Sequence, residues 1–239
     1  MTQNVALILG YGPTVGVAVA RAFAAKGYKI AIVSRTNRNT ESEKEYLQIQ
    51  SDLSDPSSVE HIFSRVISEF GHPSVVLYNA SSSTLMNSST ALSEQIAAFQ
   101  SDNNVNIVSA YVAAQLAIKS FAMLPPQSSK TFIYTGNKLP FMIVRPLLFQ
   151  GVGKAGSAHL LHYLSEEYKD SGYKFYYADE RRLDGDPVYA DIDGDAHGIF
   201  YTQLADGESQ GPWNATFVKG KGYVAFSDDV VNDAVIMQL

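Results

Sequence analysis

Val5-Ala-Leu-Ile-Leu-Gly10-Tyr-Gly12-Pro-Thr14-Val15-Gly16-Val-Ala-Val-Ala-Arg-Ala-Phe-Ala-Ala-Lys-Gly27 decides how this chain is read. Five apolar residues suit a buried strand, and glycines at 10, 12 and 16 suit a tight turn. An amphipathic helix is then expected from about Pro13 to Lys26, ended by Gly27. Glycines in such a turn let the backbone approach a pyrophosphate, and the helix N-terminus behind them offers free N–H groups and a positive dipole end. The turn is therefore expected to hold a dinucleotide.

Working outward, the same strand-then-helix alternation continues. Strands are expected at 29–34, 47–52, 75–79, 131–135, 173–178 and 215–219. Helices are expected at 55–70, where Asp55-Pro56 supplies a cap and a first-turn proline, at 107–123 and 153–168, and in a shorter stretch at 197–204. The polar 35–43 stretch reads as loop or shortened helix, the serine-rich 81–89 stretch as surface loop, and 179–195 as a long loop of the kind that carries function. Alternation of this kind gives an α/β fold, a doubly wound parallel sheet with helices on both faces, in a single domain over 1–239.

The composition narrows the partners. A net charge of −6 leaves no electrostatic footprint for nucleic acid or an anionic membrane. The chain has no cysteine, which removes disulfides, thiolate catalysis and cysteine-based zinc sites. The N-terminus runs directly into the first strand, with no room for a signal peptide, and no apolar run reaches the length of a membrane span. A cytoplasmic protein that works on small molecules or pairs with copies of itself is expected.

In this order the motifs resemble the short-chain dehydrogenase/reductase superfamily over nearly the whole chain, most closely a divergent branch found among fungal proteins. The resemblance implies a Rossmann-type fold. The family's first turn, TGxxxGxG, is matched by Gly10 and Gly16, with Thr14 in place of the middle glycine and Gly12-Pro13 as a variant. Val15 follows in the cradle. At the end of the second strand NAD-selective relatives carry an acid, whereas Ser34-Arg35 here suits a 2′-phosphate, so NADP(H) is the expected cofactor. Asp52-Leu53 resembles the pair beside the adenine. Asn79 and Ala80 resemble part of the NNAG motif, Asn79 tying adjacent strands and Ala80 leaving room along the cofactor.

The family's catalytic Asn, Ser, Tyr and Lys fall on Asn106, Asn137, Gln150 and Lys154, so the serine and tyrosine positions hold amides. A carboxamide hydrogen-bonds a carbonyl but does not act as an acid at neutral pH, which puts the family's usual proton donation in question. Lys154 can still bond the nicotinamide ribose. Tyr176, Tyr177, Tyr189 and Tyr201 are candidates for the missing hydroxyl. His159, His162 and His197 have no third partner at a compelling spacing, no metal is expected, and Trp213 reads as structural.

Three functional readings stay open at this point. The first is an NADP(H)-dependent oxidoreductase acting on an imine, an iminium or an activated carbonyl. The second is a non-redox cyclase, isomerase or dehydratase of secondary metabolism, and the third a catalytically inactive NADP(H)-binding protein. The resemblance also implies a homo-oligomer, dimer or tetramer, paired through helices 107–123 and 153–168.

Overall fold

A computed structural model of the chain describes residues 4–36, 45–85 and 89–227. Eight strands form one sheet in the order β3-β2-β1-β4-β5-β6-β7-β8. They are β1 (Val5–Leu9), β2 (Lys29–Ser34), β3 (Leu47–Gln50), β4 (Val75–Tyr78), β5 (Thr131–Thr135), β6 (Lys174–Arg181), β7 (Asn214–Val218) and β8 (Gly222–Tyr223). The first seven run parallel, and β8 folds back antiparallel on β7. Strand order reverses between β1 and β4, and in sheets of this kind ligands enter the crevice at that switch point.

The helices are α1 (Val15–Ala25), α2 (Ser58–Phe70), α3 (Leu92–Asn103), α4 (Ser109–Ala122), α5 (Leu148–Glu167) and α6 (Gly194–Asp206). They divide between two cores. Val5, Leu7 and Leu9 point into one core with residues of α2, α4 and α5, while Ala6 and Ile8 point into the other with residues of α1 and α6. A strand covered on both faces has no polar positions, which is why β1 reads as a continuous apolar run.

The expected strands are all present; β1, β2 and β5 have the expected ends and the others are shifted. β3 and β4 stop short at Gln50 and Tyr78, whereas β6 continues to Arg181, so the 179–195 loop begins later than its composition implies. The larger corrections concern helices. α3 is absent from the sequence reading because it has no apolar stripe: its only buried residue is Asp102, and Leu92 and Ile96 face outward. It continues through a π-helical turn, Asn104–Val108, into α4. The resulting helix is, by length and composition, long and apolar enough to cross a membrane, contrary to expectation, although Ala113, Ala117 and Phe121 are spent in the core. α5 begins five residues early, at Leu148, which places Gln150 on its first turn. Much of the 35–43 stretch and residues 86–88 of the serine-rich loop lie outside the described residues.

Candidate active site

Gly10 has φ +95°, and a Cβ there would sit 2.3 Å from the backbone nitrogen of Ala80, so only glycine lets β1 and β4 close this end of the crevice. Asn79 completes the closure by donating from Nδ2 to the Gly10 carbonyl at 2.8 Å. Beyond the closure lies a groove of about 540 Å3 lined by Gly10, Gly12, Ser34, Arg35, Asp52, Leu53, Asn79 and Ala80. Eight of the cofactor residues expected from sequence are thus brought to one surface. Thr14 is not on that surface: it is the exposed N-cap of α1, and its side chain makes no capping bond.

The groove fits a dinucleotide by two observations. A Cβ on Gly12 would meet nothing nearer than Asn79 Nδ2 at 3.9 Å, so the space in front of the turn is open to a phosphate. At the start of α1, Val17 N and Ala18 N donate to the Gly12 and Thr14 carbonyls, so among the leading N–H groups those of Val15 and Gly16 are the ones a helix start leaves for a ligand. Around the tip of β2, Ser34 Oγ donates to the Thr36 carbonyl at 2.7 Å and Gln50 Nε2 donates to the Arg35 carbonyl at 3.0 Å. These bonds hold the loop and leave the Arg35 side chain exposed at the groove. Asp52 Oδ1 accepts from Ser54 N at 2.9 Å and so braces its own turn.

A second cavity, about 210 Å3, opens over the ends of β5 and β6 and reaches Val15 at the start of α1. Asn137 and Gln150 stand in its wall, together with Thr135, Lys138, Asp179, Glu180 and His197. Its outer sleeve is apolar: Leu139, Met142, Val144, Leu147, Pro187, Val188 and Ile192. Gln150 Nε2 donates to Ser81 Oγ at 3.0 Å, and Ser81 lines the dinucleotide groove, so this bond spans the border of the two spaces.

Asn106 and Lys154 lie behind the walls rather than on them. Asn106 is fully buried in the π-helical turn. Its Oδ1 accepts from Ser81 Oγ and Ser82 N, and its Nδ2 donates to the Ser82 carbonyl at 2.7 Å. Its backbone oxygen accepts from Ser157 Oγ at 2.6 Å and Tyr134 OH at 2.8 Å. A π turn breaks the usual i→i+4 ladder, which frees a carbonyl for such side-chain donors. Close approach of α5 makes this possible, since a Cβ on Gly153 would lie 2.5 Å from Asn106 Cβ.

Lys154 is 3% exposed. Its Nζ donates to the Thr135 carbonyl at 2.9 Å and stands 4.5 Å from the centre of the Tyr134 ring. Burial pulls its pKa down to about 7, partly opposed by the Asp179 carboxylate. It meets the second cavity through Thr135 rather than directly.

The tyrosines sort cleanly. Tyr78, Tyr134 and Tyr177 occupy aligned positions on β4, β5 and β6, and their rings stack at 5.5 and 5.6 Å. Tyr177 OH donates to the Asn137 carbonyl and accepts from Asn137 N, and Tyr201 OH donates to Thr135 Oγ1 at 3.1 Å. Burial raises the pKa of both phenols. Tyr176 faces away, bonded to Gly211 N and the Ser209 carbonyl. Of the four candidates only Tyr189, 61% exposed, lines the second cavity.

Sequence reasoning missed the groups that hold this arrangement. Asp102, 1% exposed, accepts from Ser82 Oγ, Thr84 N and Thr84 Oγ1 and so clamps the loop after β4; its only signal is its place one helical turn before Asn106. The Glu180–His197 contact, 3.5 Å, and the Asp179–Arg181 ion pair stand at the end of β6, where the sequence reading places loop. His162 stacks on Trp213 at 4.6 Å, in keeping with a structural role for the indole. Among the described residues no three His, Asp or Glu side chains gather closely enough for a metal.

Comparison with known proteins matches residues 4–174 to the short chain dehydrogenase family. The short chain dehydrogenase/reductase dmxR12 of Cryptosporiopsis sp. (strain 8999) is 42% identical, across 96% of this chain and 97% of that protein. The chain belongs to the short-chain dehydrogenase/reductase family. Similar solved structures of this family include a metagenomic short-chain oxidoreductase in complex with NADP, with TM-score 0.74 and 16% identity over 89% of this chain and 96% of that one. A 3-oxoacyl-[acyl-carrier protein] reductase from Brucella melitensis in complex with NAD has TM-score 0.73 and 19% identity, over 87% and 92%. Short-chain dehydrogenase/reductases bind a nicotinamide cofactor and act on small molecules.

Proposed function

We propose that this chain is an NADP(H)-dependent oxidoreductase of divergent active site, in which Asn137 and Gln150 replace the family's serine and tyrosine, and that it reduces an imine, an iminium or an activated carbonyl of a small metabolite. The observation that carries this reading is the wall of the second cavity. It presents two carboxamides at the positions of the family's serine and tyrosine and, further out, the exposed phenol of Tyr189, while the buried phenols of Tyr177 and Tyr201 are committed to Asn137 and Thr135. A substrate of this site has to accept hydride without a lysine-activated phenol beside it.

In this reading the bound cofactor supplies the hydride. Gly10, Gly12, Val15 and Gly16 form the phosphate turn with the α1 N-terminus, and Thr14 occupies the N-cap position outside the groove. Asp52 and Leu53 flank the adenine, Asn79 and Ala80 line the middle, and Ser34 with Arg35 takes the 2′-phosphate by a charge-assisted contact. Gln150 and Asn137 orient the substrate, Asn106 and Lys154 hold the wall from behind, and a second copy of the chain packs on the α4 and α5 faces, in a cytoplasmic dimer or tetramer. The test is NADPH oxidation by the purified protein across matched carbonyl and imine panels, with NADH as control. Turnover of imines in preference to their parent ketones is expected. NADPH binding without consumption on either panel would sink the reading, and product formed with no nicotinamide present would replace it with non-redox catalysis.

A further inference from the structure

β6 carries three consecutive charged residues into its C-terminal end, Asp179, Glu180 and Arg181, each less than 5% exposed. Buried charges need partners, and most here have them. Asp179 pairs with Arg181, whose Nη1 also donates to the Gly185 carbonyl. Lys138 donates to the same carbonyl at 3.0 Å and lies 3.9 Å from Asp186. Lys154 is held by Thr135 and the Tyr134 ring.

Glu180 is different. Its Oε2 accepts one hydrogen bond, from Asp193 N at 2.8 Å, while Oε1 accepts none among the described residues. Among the described residues the only ion-pair partner within 4 Å is His197, 3.5 Å away. That imidazole is directed at the Asp193 carbonyl, 2.7 Å from Nδ1, and burial lowers its pKa, so it is neutral at pH 7. Lys219, whose charge also acts on Glu180, is engaged by Asp193. A carboxyl group with an oxygen that accepts no hydrogen bond from the described residues thus lines the cavity, together with Asn137, Gln150 and the apolar sleeve.

We infer that the second cavity is a site for a ligand with an apolar body and a basic nitrogen, the nitrogen seated on Glu180. The proposal takes up the oxidoreductase reading and narrows its substrate to the nitrogen class, an imine or iminium rather than a ketone. Proton bookkeeping favours nitrogen. A protonated amine or iminium brings Oε1 an N–H donor, and the contact becomes an N–H···O pair between opposite charges. A ketone oxygen, an acceptor only, leaves an ionised Glu180 unsatisfied. The apolar sleeve formed by Leu139, Met142, Val144, Leu147, Val188 and Ile192 covers the ligand body and keeps water from the pair.

The test uses two probes that share an apolar body, 4-phenylbutylamine and 4-phenylbutanol, titrated calorimetrically into the full-length protein at pH 7 without nucleotide. The amine is expected to bind at least tenfold more tightly, and Glu180→Gln, which keeps an acceptor for Asp193 N–H, is expected to bring the two within twofold. Unchanged 4-phenylbutanol affinity in the variant shows that the cavity has kept its shape. Should Glu180→Gln not fold, Glu180→Asp, which withdraws the carboxylate by one methylene, is expected to lower the amine preference in the same direction. Equal affinity of the wild-type protein for both probes overturns the inference. So does a Glu180→Gln variant that loses NADPH affinity but keeps its amine preference, since the carboxylate would then serve the cofactor. Failure of NADPH oxidation with a maintained amine preference removes the redox reading instead, so the two failures are told apart.

Discussion

Replacing Lys154 with methionine tests the burial of the amine directly. In the folded protein its pKa is about 7, because desolvation penalises the charged form, against 10.5 for the ordinary side chain. A base whose folded value lies below its unfolded value binds more protons in the unfolded chain throughout the interval between them. Its destabilising contribution is therefore fully present below pH 7 and fades as pH rises toward 10.5. Stability changes by about 1.4 kcal/mol per pH unit where the two states differ by a whole proton. Because the folded amine is half-protonated at pH 7, the penalty falls by about 2 kcal/mol between pH 7 and pH 9. Methionine keeps the apolar stem and has no proton to lose. Urea unfolding of both proteins at pH 7, 8 and 9, compared as the difference between them at each pH, cancels every other titrating group. The wild type is expected to gain about 2 kcal/mol on the variant across this window. A difference that stays flat within about 0.5 kcal/mol would refute the buried, depressed amine, whatever the absolute stabilities.

Three further outcomes are expected. Arg35→Glu places a carboxylate where a 2′-phosphate is proposed to sit; fluorescence titration is expected to show NADPH affinity falling at least tenfold and NADH affinity holding or rising, and parallel losses of both would show that Arg35 does not choose between them. Gly10→Ala combines φ +95° with a Cβ 2.3 Å from Ala80 N, so thermal and chemical unfolding are expected to show a loss of about 3 kcal/mol or more, or no folded protein; a near-native melting temperature contradicts the close approach. Gln150→Tyr puts a phenol one helical turn before Lys154, and appearance of NADPH-dependent ketone reduction is expected if only the acid is missing, while an inert variant with intact NADPH affinity points to Asn137 or the buried lysine as the further obstacle.

The strands were legible because a sheet covered on both faces selects unbroken apolar runs, and β1, β2 and β5 begin and end within one residue of those runs. α3 was not legible, because its inward residue is a polar clamp, Asp102, rather than an apolar stripe. The turn at Gly10–Gly16 was legible because glycine spacing is a local constraint. The chemistry at the second cavity was only half legible: Asn137 and Gln150 could be found by counting residues, but no spacing reveals that Asn106 and Lys154 face backward into the protein, since that follows from how closely α5 lies on the π-helical turn. Nor does a sequence show that β6 carries Asp179 and Glu180 into the cavity, because pairing with β7 extends the strand three residues past its apolar run.

By itself, then, the sequence determined the alternation of strand and helix, the single doubly wound sheet and the glycine turn at its switch point, all of which depend on patterns within a few residues of one another. The tertiary structure alone decided which polar groups face the two cavities and which are spent on the scaffold. The in-register stack of Tyr78, Tyr134 and Tyr177, the capture of the Asn106 carbonyl by Ser157, and the unfilled oxygen of Glu180 arise between segments far apart in the chain. Whether a buried polar atom is satisfied depends on what packs against it, and that is a property of the folded assembly of elements, which no local pattern encodes.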